Sequence, residues 1–377
     1  MKAIGWQTNI IGTGKNVMGN GETDLLINDG GNLSVVQINA SGIVIGIVSQ
    51  GTGAFSVKSG VIGATLNLNS GTVVLGNGSS AVVNGLSNTV TVGDSSAVTV
   101  SGSGNIVTIG DSNAVTVTGS GNIVNAGAGN GIGLAGNNNT LNARAYTTAV
   151  DYGTGNTVTV GDNSYLTVFG NGSHDNVYGI GSTVALAGNN SQTTVGDNSV
   201  VLISGVGNLV GAGANNTIAI SGIFNSIYSG ANTLALDFGD SNNIAAGVTS
   251  AITNIGSNGT DSAGIGSTFL VAGSSNVFLV HPSSAYVMGS AGIDTLKGTI
   301  ADFSGDLING LSSGMHINVI DLIPSGVLVS FAGSASGGVL TLASDSQSFA
   351  VSTYGAINPG LLYVSNDGNN GTLLTYG

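Results

Sequence analysis

The chain has no cysteine and very few basic residues. Without cysteine, disulfides and thiolate metal sites are excluded, a composition that fits an exported bacterial protein. Five Lys and Arg stand against 18 Asp and Glu, so the formal net charge is −13. Nucleic acids and anionic membranes both require clustered Lys and Arg, so neither is an expected partner. No apolar run approaches the ~20 residues of a membrane-spanning helix, so no membrane insertion is expected.

Strong helix formers and aromatic residues are also scarce. Charged residues make up 6% of the chain and aromatic residues 5%. No run places apolar residues at the helical period, so helices are not expected. Glycine is abundant instead, with 65 residues. Because glycine readily adopts the positive φ angles of tight corners, this composition favours an all-β chain with many turns.

A repeat of 17 residues organises the central part of the chain. A fixed short period is typical of a solenoid. Within one repeat, Val90 and Val92 alternate with threonines, as in a strand with one buried face. We therefore predict an all-β, elongated, two-sided β-solenoid whose coils stack roughly 4.8 Å apart. The clearest markers of the repeat are asparagines spaced 17 apart, Asn88, Asn105, Asn122, Asn139 and Asn156.

The period slips once, after Asn156. The distance from Asn156 to Ser191 is 35 residues, one more than two repeats. The spacing of 17 then resumes from Ser191 to Asn208. We place the extra residue near 171–175, as a local bulge.

Three segments follow from where the repeat is visible. Residues 1–19, which include Trp6, are predicted to form an N-terminal coil or cap. Residues 20–310 are predicted to form the solenoid array, and (310 − 20)/17 gives about 17 coils. Residues 311–377 lose the period and consist of short apolar runs between turn residues. We predict that they form a C-terminal antiparallel β domain that caps one end.

The C-terminal region resembles a known family. Residues 289–296, Gly-Ser-Ala-Gly-Ile-Asp-Thr-Leu, resemble one nonapeptide of the RTX family, whose pattern is Gly-Gly-x-Gly-x-Asp-x-(large apolar)-x. Residues 302–310 and 366–374 look like the C-terminal region of RTX-like proteins exported by type I secretion. The resemblance covers residues 289–377 and implies an uncleaved C-terminal export signal. It fits the first nine residues, which carry no apolar signal region, so we expect an extracellular or cell-surface protein without an N-terminal signal peptide.

Three carboxylates are candidate calcium ligands. Asp294 is the Asp of the nonapeptide, so the resemblance implies a calcium ligand there. Asp94 and Asp111 are 17 residues apart and are expected to stack at the same turn of adjacent coils. Two ionised carboxylates in adjacent coils repel each other, and either a cation or full hydration must offset this repulsion. Turns rich in oxygen suit Ca²⁺, so we predict a few calcium sites at most, or else solvated turn acids, and no other cofactor.

The sequence shows no catalytic constellation. The five basic residues are scattered, and His174, His281 and His316 have no evident triad or metal partner. We therefore predict no catalytic residues and no enzyme activity. Outward Thr-x-Thr pairs such as Thr89 and Thr91 favour ice binding, but other residues interrupt their columns.

The function that we predict follows from the ends of a solenoid. A terminal coil exposes unpaired backbone groups that recruit other strands unless they are blocked. Residues 311–377 are available as a cover at one end, whereas residues 1–10 contain one Lys and no Pro. We predict a non-catalytic extracellular structural protein that self-assembles head to tail into a filament, matrix or surface layer, with other surface or matrix components as further partners. The alternative is a monomeric cell-surface adhesin or a glycan- or ice-binding solenoid.

Overall fold

The described residues are almost entirely strands and turns. The computed structural model describes residues 9–15, 23–29, 32–38, 44–51, 54–57, 62–289, 292–355 and 357–377. Within these ranges one short 3-10 helix lies at Pro359–Leu361. The chain divides into two compact units, unit 1 (Met1–Val184) and unit 2 (Ala185–Gly377). The predicted all-β class is confirmed.

Unit 1 is built from short strands joined by tight corners. Its strands are β1 (Asn9–Lys15), β2 (Thr23–Asp29), β3 (Asn32–Ile38), β4 (Val44–Gly51), β5 (Ala54–Val57), β6 (Ile62–Leu68), β7 (Thr72–Leu75), β8 (Ser80–Asn84), β9 (Thr89–Val92), β10 (Ala97–Ser101), β11 (Ile106–Ile109), β12 (Ala114–Thr118), β13 (Ile123–Ala126), β14 (Gly131–Ala135), β15 (Thr140–Ala143), β16 (Thr148–Asp151), β17 (Thr157–Val160), β18 (Tyr165–Val168) and β19 (His174–Val177), and β20 (Thr183–Leu186) lies at the unit boundary.

From β4 onward, alternate strands of unit 1 stack in parallel. The even-numbered strands β4 to β18 form sheet A, and the odd-numbered strands β5 to β19 form sheet B. Val90 pairs with Val107 and Thr91 pairs with Thr108, an offset of one repeat. Each coil therefore gives one strand to each sheet. This confirms the two-sided coil of about 17 residues. The described residues of both units form about 15 such coils, slightly fewer than the 17 predicted, because the parallel stack starts only at β4.

The core of each coil lies between the two sheets. Val90 and Val107 are fully buried, and the threonines that alternate with them are exposed. The corners need glycine where successive coils approach closely. At Gly102, φ is +123°, and an added Cβ would lie 2.0 Å from the carbonyl oxygen of Gly85. Any larger residue at that corner would push the coils apart.

The strands before the parallel stack do not form coils. β1, β2, β3 and β4 pair antiparallel in sequence. Only two residues separate β2 from β3, which is too short for the crossover that a parallel pair requires. The predicted start of the array at residue 20 therefore differs from the structure, in which parallel stacking starts at β4. Trp6 and the rest of 1–8 lie outside the described residues.

The extra residue of the slip lies in the corner after β19. β17 and β19 still pair with an offset of 17 residues, so the strand that includes His174 remains in register. The backbone N–H of Ile180 then donates to Asp162 Oδ1 across 18 residues. The corner at 178–182 contains the insertion, and the placement at 171–175 is wrong. A surface corner can lengthen without changing which strand residues face the core.

Unit 2 repeats the same architecture and adds the cap. Its strands are β21 (Gln192–Val195), β22 (Val200–Ile203), β23 (Leu209–Ala212), β24 (Thr217–Ile220), β25 (Ser226–Ser229), β26 (Leu234–Asp237), β27 (Asn243–Ala246), β28 (Ala251–Asn254), β29 (Thr260–Ala263), β30 (Thr268–Val271), β31 (Val277–Leu279), β32 (Ala285–Met288), β33 (Thr295–Gly298), β34 (Leu307–Asn309), β35 (His316–Val319), β36 (Leu328–Ser334), β37 (Gly337–Ala343), β38 (Ser348–Tyr354), β39 (Leu362–Asn366) and β40 (Thr372–Tyr376).

The C-terminal cap extends both sheets of unit 2. Sheet A stacks in parallel from β22 to β34, and β34 then pairs in parallel with β38. Sheet B stacks in parallel from β21 to β35, and β35 then pairs antiparallel with β40. β36, β37 and β38 form an antiparallel meander, and β39 pairs antiparallel with β40. The predicted antiparallel cap is confirmed. The parallel stack continues to Val319, slightly beyond the predicted boundary at 310.

Candidate functional site

A ladder of buried asparagines runs along one corner of unit 1. Its members are at most 1% exposed. Asn105 Oδ1 accepts a hydrogen bond from the backbone N–H of Asn88 at 2.9 Å, and Asn122 does the same for Asn105. The amide of Asn105 also donates to the carbonyl of Gly85 at 3.1 Å. Each side chain thus satisfies corner backbone groups of a neighbouring coil.

The opposite corner carries a second ladder, made of serine and asparagine. Asn113 Oδ1 accepts the backbone N–H of Ser96 at 2.7 Å, and Asn130 Oδ1 accepts that of Asn113 at 2.7 Å. In unit 2, Asn225 and Asn242 make the corresponding bond of the first ladder at 2.8 Å. The two ladders fix the offset between successive coils. Their role is therefore to hold the stacked coils in register.

Both ladders of unit 2 reach an aspartate near the cap. Asn276 donates its backbone N–H to Asp294 Oδ1 at 2.9 Å, and Ser284 donates its own to Asp306 Oδ1 at 2.8 Å. Burial raises the pKa of Asp294, and the hydrogen bonds from Asn276 oppose this rise. Burial also raises the pKa of Asp306 to about 7. Asp294 is therefore a buried ladder residue, a role that its spacing of 18 from Asn276 could have indicated.

The other two calcium candidates lie at one exposed turn. Asp94 Oδ1 accepts the backbone N–H of Asp111 at 2.8 Å, and Asp111 Oδ1 accepts that of Ala128 at 2.7 Å. Each carboxylate therefore caps the turn of the next coil. In the part of the chain that the structure describes, no group of three or more His, Cys, Asp or Glu is placed to hold a metal ion. Calcium binding at Asp294, Asp94 and Asp111 stays a prediction from the sequence.

The core of unit 2 contains acids that the sequence analysis missed. Asp237 and Asn254 occupy paired positions on β26 and β28, and the amide of Asn254 donates to Asp261 Oδ2 at 2.5 Å. Burial raises the pKa of Asp237 to about 6. Burial, together with the nearby Asp237, raises the pKa of Asp261 to about 7. The sequence signal was an acidic residue at an inward position of the apolar–polar alternation of a strand. Asp237 is an example, because it lies one repeat after the buried Ile220.

Three buried side-chain oxygens around these acids lack a hydrogen-bond partner, which favours the protonated form of the carboxyl groups. Asp237 Oδ2, Asn254 Oδ1 and Asp261 Oδ1 are buried without a hydrogen-bond partner. An unpaired buried acceptor is costly, and a protonated carboxyl group supplies the missing donor. We call Asp237, Asn254 and Asp261 the interior acid cluster. Its chemistry is proton uptake near neutral pH, which makes it a determinant of stability.

The histidines have separate structural settings. His174 is exposed on the outer side of β19. His316 Nδ1 lies 2.9 Å from Thr375 Oγ1 and joins the last coil to the cap. The exposed Arg144 lies in a corner. The absence of enzyme activity stays a prediction.

The last strands of the cap leave open edges. β36 pairs along one edge with β37, and β39 pairs along one edge with β40. Among the described strands, none pairs with the other edge of either. Leu328 in β36 is 76% exposed and Tyr363 in β39 is 60% exposed. Since β36 contains no charged residue and no proline, nothing in its sequence blocks a further strand. We call β36 and β39 the terminal edges.

The stacked coils and the buried ladders define the class of the molecule, which is a β-solenoid repeat protein. Residues 100–152, from the end of β10 to the residue after β16, match the model of a family described as a protein of unknown function (DUF3060). No curated protein and no solved structure matches the chain. No helix within the described ranges is long and apolar enough to span a membrane.

Proposed function

We propose that this protein is a non-catalytic extracellular structural protein that self-assembles head to tail into a filament, matrix or surface layer. The observation that carries this proposal is the pair of open terminal edges, β36 and β39. The cap continues each sheet by adding strands, and no described strand pairs with the second edge of β36 or of β39.

The composition of the terminal edges supports assembly. Monomeric proteins protect an edge strand with Lys, Pro, a bulge or a covering segment. β36 has the sequence Leu-Val-Ser-Phe-Ala-Gly-Ser, and its register with β37 is continuous over seven residues. A flat, uncharged strand of this length can accept backbone hydrogen bonds from a strand of a second copy.

The opposite end of the chain offers the complementary edge. Among the described strands, β1 pairs only with β2, so no described strand covers its second edge. A contact between the N-terminal edge of one copy and the terminal edges of the next is heterologous, and such a contact extends unless its geometry closes a ring. We place the assembly outside the cell because residues 289–377 resemble the C-terminal region of RTX-like secreted proteins and because the chain lacks cysteine.

Edge variants of the full-length protein test this proposal. Leu328→Lys with Ala332→Lys places two cations on β36, which we expect to abolish long polymers in sedimentation velocity. The matched control is Val339→Lys, because Val339 is 41% exposed in the same cap but lies on β37, which is paired along both edges. Polymers that persist in the double variant, or that the control abolishes equally, would contradict assembly through β36.

An adhesin is the second candidate, and exposed aromatic residues of unit 1 favour it. The rings of Tyr152 and Phe169 stack with centroids 5.3 Å apart, and both side chains are more than half exposed. Tyr152 also lines one end of a shallow trough of about 680 Å³ on the outer side of sheet A. Flat aromatic surfaces beside a trough suit the rings of a glycan chain. Glycan-array binding that Tyr152→Ala removes and Tyr228→Ala retains would favour this function for a monomeric protein.

A further inference from the structure

One corner of unit 1 differs from the corners stacked on either side of it. The coil before it has Gly127 and the coil after it has Gly161, but Arg144 stands at the equivalent position between them. An added Cβ at Gly127 would lie 2.0 Å from Asp111 Oδ1, so an acid at this turn excludes a side chain in the next coil. In the coil that precedes Arg144 the acid is replaced by Ala128, which makes room for the arginine.

The same corner carries a strained aromatic residue. Tyr146 has a φ of 58°, and its side chain is 66% exposed. The stacked positions in the adjacent coils are Gly129 and Asn163, two residue types that adopt this left-handed conformation readily. A bulky residue there costs backbone strain, and its exposed ring adds little to the core. An exposed ring that is kept in spite of this strain indicates a contact surface.

The guanidinium of Arg144 has no hydrogen-bond or ion-pair partner among the described residues. The hydrogen bonds of this residue are made by its backbone, with Gly127 and with the hydroxyl of Thr147. Arg144 is also the only arginine of the chain, and its side chain is exposed. A guanidinium presents a planar fork of donors that matches a carboxylate through two parallel hydrogen bonds. The exposed group is therefore available to a carboxylate of a ligand.

The acidic column of this corner is interrupted beside Arg144. Ala128 and Ala145 occupy the two positions between Asp111 and Asp162. Asp111 lies two coils from the coil of Arg144, roughly 10 Å along the stack, where salt at physiological strength largely screens its charge. Asp162 Oδ1 accepts the backbone N–H of Ile180, in the coil that lies further from Arg144. A single carboxylate can therefore approach the guanidinium although the chain as a whole is acidic.

A shallow polar trough of about 490 Å³ includes Arg144 and extends over the outer side of sheet B. Successive coils contribute Thr108, Asn125, Asn142 and Thr159 to its lining. The amide of Asn142 donates to Asn125 Oδ1 at 3.1 Å, which leaves the amide nitrogen of Asn125 and the Oδ1 of Asn142 available to a ligand. A row of hydroxyl and amide groups beside an exposed aromatic ring suits the hydroxyl groups and ring faces of a sugar chain.

We propose that this corner and its trough bind an acidic polysaccharide. One uronic-acid carboxylate pairs with Arg144, and a sugar ring packs against Tyr146. Sugar hydroxyls then bond to the amides of Asn125 and Asn142 and to Asp111, whose carboxylate also lines the trough. A polymer of phosphates would require clustered cations, whereas one guanidinium serves one carboxylate. The inference concerns a matrix component as partner and does not require assembly through the terminal edges.

Two variants remove the site and spare the fold. Arg144→Gln removes the charge and keeps a long polar side chain, and Tyr146→Gly removes the ring and relieves the backbone strain. The matched controls lie in unit 2. Phe224→Gly replaces another exposed aromatic residue that has a positive φ, of 57°, and Lys297→Gln removes another cation.

Calorimetric titration of full-length protein with hexasaccharides of mannuronate and of galacturonate, at physiological ionic strength, measures the binding. We expect at least one of them to bind, and we expect Arg144→Gln and Tyr146→Gly each to raise its Kd at least about 10-fold. Phe224→Gly and Lys297→Gln should keep the wild-type Kd, and circular dichroism checks the fold of each variant.

Two further probes separate the sugar rings from the carboxylates. Mannohexaose has the rings without the carboxylates, and hexaglutamate has the carboxylates without the rings, so each should bind at least about 10-fold more weakly than the acidic hexasaccharide. The site is overturned if neither acidic hexasaccharide gives heat, if Arg144→Gln and Lys297→Gln have equal Kd values, or if either further probe binds as tightly. None of these results bears on assembly through the terminal edges.

Discussion

The interior acid cluster predicts that this protein loses stability as pH rises from acid to neutral. Burial raises the pKa of Asp261 from its ordinary 3.8 to about 7. Between these two values the unfolded chain releases the Asp261 proton and the folded chain keeps it. The free energy of unfolding therefore falls with rising pH over this window and levels off above it. Asp261→Asn keeps an acceptor for the Asn254 amide and removes the titration.

The size of the effect follows from the two pKa values. Each pKa unit corresponds to 1.36 kcal/mol, so the interval from 3.8 to about 7 amounts to about 4 kcal/mol. Asp261 is fully buried, so solvent does not screen this contribution. We expect wild-type protein to lose at least this amount between pH 4 and pH 8, because Asp237 titrates in the same direction with a pKa of about 6. Asp261→Asn should remove about 4 kcal/mol of that loss.

Urea unfolding at a series of pH values, followed by circular dichroism, measures the difference. The matched control is Asp197→Asn, because Asp197 lies exposed in a corner of the same unit and its Oδ1 accepts the backbone N–H of Ala214 at 2.7 Å. The control should follow the wild-type pH profile. Parallel profiles for wild type and Asp261→Asn would show that the buried carboxyl does not hold its proton, and the reasoning about the interior acid cluster would fail.

Three further predictions concern the ladders, the core and calcium. Asn122→Ala leaves the buried backbone N–H of Asn105 unpaired and should lower the free energy of unfolding by about 2–4 kcal/mol, whereas the exposed Asn142→Ala should change it by less than about 0.5 kcal/mol in the same denaturation assay. Phe269→Ala removes a fully buried ring that stacks 4.9 Å from Tyr286, so denaturant unfolding should show a loss of about 3–5 kcal/mol. Calorimetric titration with Ca²⁺ should give heat for a few sites at most that Asp294→Asn reduces, and a titration without heat, together with a melting temperature unmoved by chelator, would dispose of calcium binding.

Much of the fold could be predicted because the information is local and repeated. The spacing of Asn88 and Asn105 gives the coil length directly, and the alternation around Val90 gives the inward face. The ladder follows from the same spacing, since equivalent residues of a solenoid lie one above the other. The cap strands could be predicted from their apolar runs between Gly and Asn turns.

Other features depend on three-dimensional context. The antiparallel pairing of β2 with β3 is set by a two-residue connection, which outweighs the weak periodicity of that segment. Asp237 and Asp261 face inward because strand register places them there, although their side chains alone would favour the surface. The role of Asp294 in the ladder follows from the stacking of a longer coil on Asn276, an offset that the nonapeptide resemblance does not contain.

Assembly through open strand edges is the central claim, and electron microscopy of purified full-length protein tests it most directly. The account predicts filaments or layers built from end-to-end contacts between copies, which disperse in the Leu328→Lys, Ala332→Lys variant and persist in Val339→Lys. Fields of separate 36.7 kDa particles for the wild-type protein at high concentration, with and without Ca²⁺, would contradict the claim and favour the adhesin.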